Sequence, residues 1–178
     1  MIISASRRTD IPAFYSQWFF NRIKEGYVLV PNPFNPKMIS KVSLHPAVVD
    51  CIVFWTKNPA PMIDKLDHLQ DYKYYFQFTL NPYGEKLENN LPSVDKRIDI
   101  FKRLSDKIGK EKVIWRYDPI LTNEEYDVSI RRRLPKLPMD LKTIPKSVCW
   151  DLLTITSISA PQSASSTYSR CEKRRLKK

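Results

Sequence analysis

Glycine is scarce in this chain, with three in 178 residues, at positions 26, 84 and 109. None follows an apolar run as part of a glycine-rich turn, so a P-loop or a dinucleotide fingerprint is excluded. Histidine is scarcer still. His45 precedes a proline and His68 stands in a polar stretch, so neither a His-based triad nor a His-rich metal site is supported. The three cysteines, Cys51, Cys149 and Cys171, are scattered. That suits a reducing cytoplasm and gives no disulfide framework. No apolar run approaches the ~18 residues of a membrane span, and the first six residues run straight into Arg7-Arg8, too soon for a signal peptide.

Basic charge is plentiful but unevenly placed. The net charge is +11. Residues 1–128 hold 18 Lys/Arg against 16 Asp/Glu, whereas residues 129–178 hold 12 against 3. The last fifty residues also contain only two aromatics, Trp150 and Tyr168. The expectation is one near-neutral globular domain over 1–128 and a basic, disordered tail over 129–178.

Apolar patterning in the front is regular. Ile2–Ser6 reads as a strand. Asp10 suits a helix N-cap with Pro12 in the first turn, and Tyr15, Trp18, Phe19 and Ile23 give an apolar face that ends at Gly26. Tyr27–Val30, a proline-rich turn and the alternation of Met38, Ser40, Val42 and Leu44 read as an inserted hairpin. Cys51–Trp55 is apolar and β-branched, as a buried strand should be. A short helix over Met62, Leu66 and Leu69 leads to a strand at Tyr74–Leu80. Ser93 caps a longer helix with Ile98, Phe101, Leu104 and Ile108 on one face, and Val113–Trp115 is a fourth strand. Trp18, Trp55 and Trp115 are assigned to the core.

Strand–helix alternation predicts an α/β fold with parallel strands and right-handed crossovers. The form expected is a partial (β/α) TIM-like barrel, about half of the eight-stranded fold, followed by an irregular basic tail. Each strand runs into a polar cluster with Asp or Asn shortly before Pro: Arg-Arg-Thr-Asp-Ile-Pro, Thr-Lys-Asn-Pro, Leu-Asn-Pro and Tyr-Asp-Pro. Such barrels carry their sites at the carboxyl ends of the strands. Arg7, Arg8, Asp10, Asn32, Lys57, Asn58, Gln77, Asn81, Arg116 and Asp118 are therefore the residues expected to bind an anionic substrate, with Thr79 beside them. Arginine grips carboxylate or phosphate in bidentate fashion. Lys57, Asp118 and Asp10 are the candidates for a catalytic group. A structural reading pairs Arg116 with Asp118 and Arg7 with Asp10 as ion pairs. No metal ligand set is expected.

With Ser6-Arg-Arg-Thr-Asp-Ile-Pro12, Asn32-Pro-Phe-Asn-Pro36, Phe54-Trp-Thr-Lys-Asn-Pro59, Phe76–Gly84 and Trp115-Arg-Tyr-Asp-Pro119 in order along residues 1–128, the chain resembles a bacterial uncharacterised family called domain of unknown function 1848. The resemblance implies a radical S-adenosylmethionine-like barrel protein with a C-terminal Cys-x3-Cys-x2-Cys cluster. A 4Fe-4S cluster and S-adenosylmethionine are implied for full-length members only. This chain lacks clustered cysteines, so it is expected to be a truncated or frameshifted member, inactive as written, whose residues after 128 are out of frame or replaced. Two other functions stay open. A nucleic-acid or polyanion binding module would use the basic tail, and a small metal-independent hydrolase would use Asp10 or Asp118 as base. An incomplete barrel exposes sheet edges, so oligomerisation or aggregation is expected.

Overall fold

The computed structural model describes residues 1–6, 8–83, 87–120 and 148–152, the backbone alone at 119–120 and 148–152. The fold is mixed α/β. Five strands form one sheet in the order β1 (Ile2–Ser4), β4 (Cys51–Thr56), β5 (Tyr74–Thr79), β6 (Val113–Ile120) and β7 (Val148–Leu152). A separate hairpin joins β2 (Tyr27–Pro31) to β3 (Ile39–Ser43). β1 and β4 pair in parallel with Ile2 beside Cys51, and β6 and β7 pair in parallel with Trp115 beside Val148. Among the described residues no sheet closes on itself, and a barrel is not shown. The chain divides within β5 into two compact units, Met1–Phe76 and Gln77–Lys178.

In the first unit the Asp10 carboxylate caps α1 (Ile11–Phe14) by accepting from the Ala13 N–H at 3.0 Å, with Pro12 in the first turn. One continuous helix was the expectation here. Tyr15, at φ −130° and ψ 25°, interrupts it, and α2 (Ser16–Glu25) begins afterwards. Gly26 ends α2 at φ 76°, a left-handed conformation that suits a residue without Cβ. The hairpin follows as expected. Its strands are antiparallel, with Tyr27 opposite Ser43 and Pro31 opposite Ile39.

β4 is buried at Ile52, Val53, Phe54 and Thr56. Phe54 stacks on Phe76 with centroids 4.8 Å apart and meets Phe19 edge-on at 5.2 Å. Such pairs contribute about 0.5–1.5 kcal/mol each beyond their buried area. The short helix expected after Pro61 is two pieces, α3 (Ala60–Ile63) and a 3-10 turn at Leu66–Leu69, which bury Met62, Ile63, Leu66 and Leu69. Two tryptophans depart from the core assignment. Trp18 is 44% exposed and Trp55 40% exposed, because α2 turns Phe19 and Phe20 inward and β4 is open only at Trp55.

In the second unit α4 (Val94–Ile108) buries Ile98, Phe101, Leu104 and Ile108, the expected stripe. Phe101 meets Phe78 of β5 edge-on at 5.2 Å. Gly109 ends the helix at φ 88°, and a 3-10 turn at Lys110–Lys112 leads into β6. The strand expected to stop at Trp115 continues to Ile120. It does so because β7 supplies a partner. The register shifts between Tyr117 and Ile120, an irregularity that accommodates Pro119, which has no N–H for a ladder. β7 also corrects the expectation that everything after residue 128 is irregular.

Candidate functional site

The residues expected at the strand ends fall into two groups, one in each unit. In the first unit they meet at Asp10. Its Oδ1 accepts from the Ala13 N–H. Its Oδ2 accepts from the Thr56 hydroxyl at 3.0 Å and from the Lys57 N–H at 2.8 Å. The Thr56 oxygen in turn accepts from the Asn58 N–H at 3.0 Å, and Asn58 Oδ1 accepts from the Ala60 N–H at 3.3 Å. One carboxylate thus ties the exit of β1 to the exit of β4 and satisfies donors that the end of a strand leaves over. Burial pushes the Asp10 carboxyl above its ordinary range, against the hydrogen bonds from Lys57, Thr56, Ala13 and Asn58, which favour the charged form.

This arrangement makes Asp10 a latch. Both of its oxygens are engaged, so service as a general base would require it to release donors. Thr56, quoted in the Thr-Lys-Asn-Pro motif but not assigned to the site, is the residue that sequence reasoning missed. Its hydroxyl relays between Asp10 and Asn58. Lys57 and Asn58 are half-buried at the end of β4.

Arg8 is exposed at the exit of β1, and its Nη2 donates to the Pro31 carbonyl at 3.2 Å. It borders a cavity of about 580 Å³ whose walls include Tyr15, Trp18, Leu29 and Val30. Arg7 lies outside the described residues, and so does its expected ion pair with Asp10. Asn32 belongs to the hairpin turn, where its Oδ1 accepts from the Phe34 N–H at 2.9 Å. That is an Asx turn and explains the residue structurally.

In the second unit Asn81 is fully buried and hydrogen-bonded twice to the backbone of Asp118. Arg116 Nη2 pairs with Asp118 Oδ2 at 2.6 Å, as the structural reading expected. Arg116 and Asp118 therefore lie inside β6, and they do not form a strand exit. Gln77 is half-buried and Thr79 buried along β5. Trp115, the one tryptophan of the three that is buried, donates from Nε1 to the Leu80 carbonyl at 3.0 Å.

A buried ion pair lies beside them. Arg97 of α4 is 1% exposed, pairs with Glu88 at 2.6 Å and donates to the Tyr83 carbonyl at 2.9 Å. Its position was legible, since Arg97, Phe101, Leu104 and Ile108 share the helical stripe. Tyr117 is fully buried, and burial with the nearby Tyr83 holds its phenol far above the ordinary tyrosine range.

The donor set can be compared with the iron–sulfur cluster that the resemblance implies. Among the described residues no three His, Cys, Asp or Glu side chains gather to hold a metal ion. The cysteines stand at 51, 149 and 171, which is not the spacing of clustered thiolates. The residues present do not fit such a cluster. Among the described residues no helix is long and apolar enough to cross a membrane.

No curated protein and no solved structure matches this chain. The motifs that run through the Asp10 latch, the hairpin turn and the Arg116–Asp118 pair do have a common home: a family model described as Domain of unknown function (DUF1848) matches residues 2–176, well past the point near residue 128 where the sequence reading ended the likeness, and the chain belongs to that family.

Proposed function

We propose that the protein binds an anionic small molecule at the carboxyl end of β1, with Arg8 as the anchoring cation. The observation that carries this reading is the position of Arg8. An exposed guanidinium borders a cavity of ligand-binding size, about 580 Å³, at a strand exit. The hydrogen bond to the Pro31 carbonyl leaves the guanidinium further donors for a carboxylate or phosphate. The latch at Asp10, two residues on, supports the reading because it fixes the loop that carries Arg8.

No chemical step is assigned. Asp10 is committed to backbone and hydroxyl donors, and Asp118 to Arg116. The hydrolase reading thus rests on carboxylates that are already engaged. Iron–sulfur chemistry enters no part of the reading.

Titration calorimetry with inorganic phosphate and with citrate at low salt tests the proposal. Binding should weaken as salt rises. It should weaken about tenfold or more in Arg8→Ala, the scale of a hydrogen bond to a charged group. Unchanged affinity in that variant refutes the reading. If affinity is instead lost in Lys173→Gln/Arg174→Gln/Arg175→Gln, the basic C-terminal residues are the anion site and the polyanion-binding function takes its place.

A further inference from the structure

We infer that the ligand is a linear amphipathic anion, a medium-chain carboxylate or phosphate ester whose apolar body lies along β1. This rests on the reading of Arg8 as the anion anchor. The cavity beside Arg8 does not end at the exit of β1. A second cavity of about 280 Å³ continues along the strand, and the two share Ser4, Ala5, Ile11, Trp18, Val28 and Val30 in their walls. The first adjoins Ser4, Ala5, Arg8 and Thr9, and the second reaches back to Met1 and Ile2. Together they trace a trough between α2 and the hairpin.

The chemistry of the walls selects the ligand. Apart from Ser4 and Thr9, the side chains are apolar or aromatic except for two arginines. Among the described residues no carboxylate lines either cavity, so those walls do not repel an anion and offer a long body little to hydrogen-bond with. Arg8 belongs to the first cavity and Arg22 to the second. The buried Nε of Arg22 has no hydrogen-bond partner among the described residues. Of the two arginines Arg8 is the exposed one, so the anionic head sits at the near end of the trough and the apolar body runs away from it. Trp18, whose exposure conflicts with a core role, becomes intelligible as the wall common to both cavities.

The experiment uses the full chain and a series of straight-chain carboxylates from butyrate to decanoate, with the alcohols of equal length and inorganic phosphate as controls. Binding is followed by calorimetry and by tryptophan fluorescence. Affinity should rise about fourfold per added methylene until the trough is filled, and then level off. Each acid should bind at least tenfold more tightly than its alcohol. Trp18→Phe should abolish most of the fluorescence change, since Trp18 is the tryptophan that lines both cavities. Val28→Thr/Val30→Thr should flatten the chain-length dependence, weakening decanoate more than butyrate. If phosphate binds but longer acids gain nothing, the trough is overturned as the body site and the Arg8 reading survives. If alcohols bind as tightly as acids, both are overturned. If neither phosphate nor any acid binds, both are overturned as well.

Discussion

The Asn81 side chain pairs with the backbone of Asp118 as a peptide group of a neighbouring strand would. Nδ2 donates to the Asp118 carbonyl at 2.9 Å, and the Asp118 N–H donates to Oδ1 at 3.2 Å. The ladder between these segments, which includes the Leu80 N–H on the Arg116 carbonyl at 3.0 Å, is thereby prolonged by a side chain.

Asn81→Ala removes two hydrogen bonds to the Asp118 backbone. It should destabilise the protein by about 1–3 kcal/mol, at about 0.5–1.5 kcal/mol for each bond. Asn81→Asp keeps an acceptor and loses the donor, so it should also destabilise. Urea unfolding monitored by circular dichroism gives both values. A change under about 0.5 kcal/mol would show that the pairing contributes little.

Asp10 carries a pH dependence whose sign follows from its raised pKa. Between the ordinary aspartate value of 3.8 and the raised folded value, the folded state binds more protons than the unfolded one. Stability attributable to this group is therefore fully present below 3.8 and declines as pH rises through the folded value. Asp10→Asn removes that titration. The stability of the variant relative to the native chain should shift in the variant's favour as pH rises from about 4 towards 7. Its absolute stability should still be lower, since an amide cannot accept from every donor around Asp10. A difference that stays flat with pH is the result that counts against the account.

The Arg97–Glu88 pair is buried at both ends, with side chains 2% and 8% exposed. Arg97→Met removes the cation that faces the Glu88 carboxylate and should cost about 3–5 kcal/mol. Arg97→Met/Glu88→Gln removes both charges and should recover a large part of that loss. A double-mutant cycle measures the coupling. If the double variant is as unstable as the sum of the single ones, the two side chains do not act on each other.

Gly26 and Gly109 both have positive φ, but they should respond differently to alanine. Gly26, at φ 76° and ψ 6°, sits in the left-handed region with open space where a Cβ would go. Gly26→Ala should cost about 1 kcal/mol. Gly109, at φ 88° and ψ 139°, is in a region that residues with a Cβ rarely enter. Gly109→Ala should cost about 1–3 kcal/mol. A Cβ there would also meet the flexible Glu111 side chain, which can move aside. Thermal melts of the two variants rank them, and the reverse order would contradict the backbone argument.

The sequence by itself determined the local elements whose causes are local. Asp10 and Pro12 announce a helix start, Gly26 and Gly109 announce helix ends, and the prolines between Val30 and Met38 force a hairpin. The stripe from Ile98 to Ile108 buries what its periodicity says it should, and the run at Cys51–Trp55 is the strand its composition indicates, buried at Ile52, Val53 and Phe54. Tertiary structure alone decided the rest. The Asp10–Thr56 bond joins residues 46 apart and exists because β1 and β4 lie side by side in parallel. β6 outruns its apolar run because β7, embedded in a stretch that reads as a basic tail, pairs with it. Whether Trp18 is core or cavity wall depends on where the hairpin sits. Propensity and periodicity encode which face of an element is apolar, but partners distant in sequence decide what that face meets.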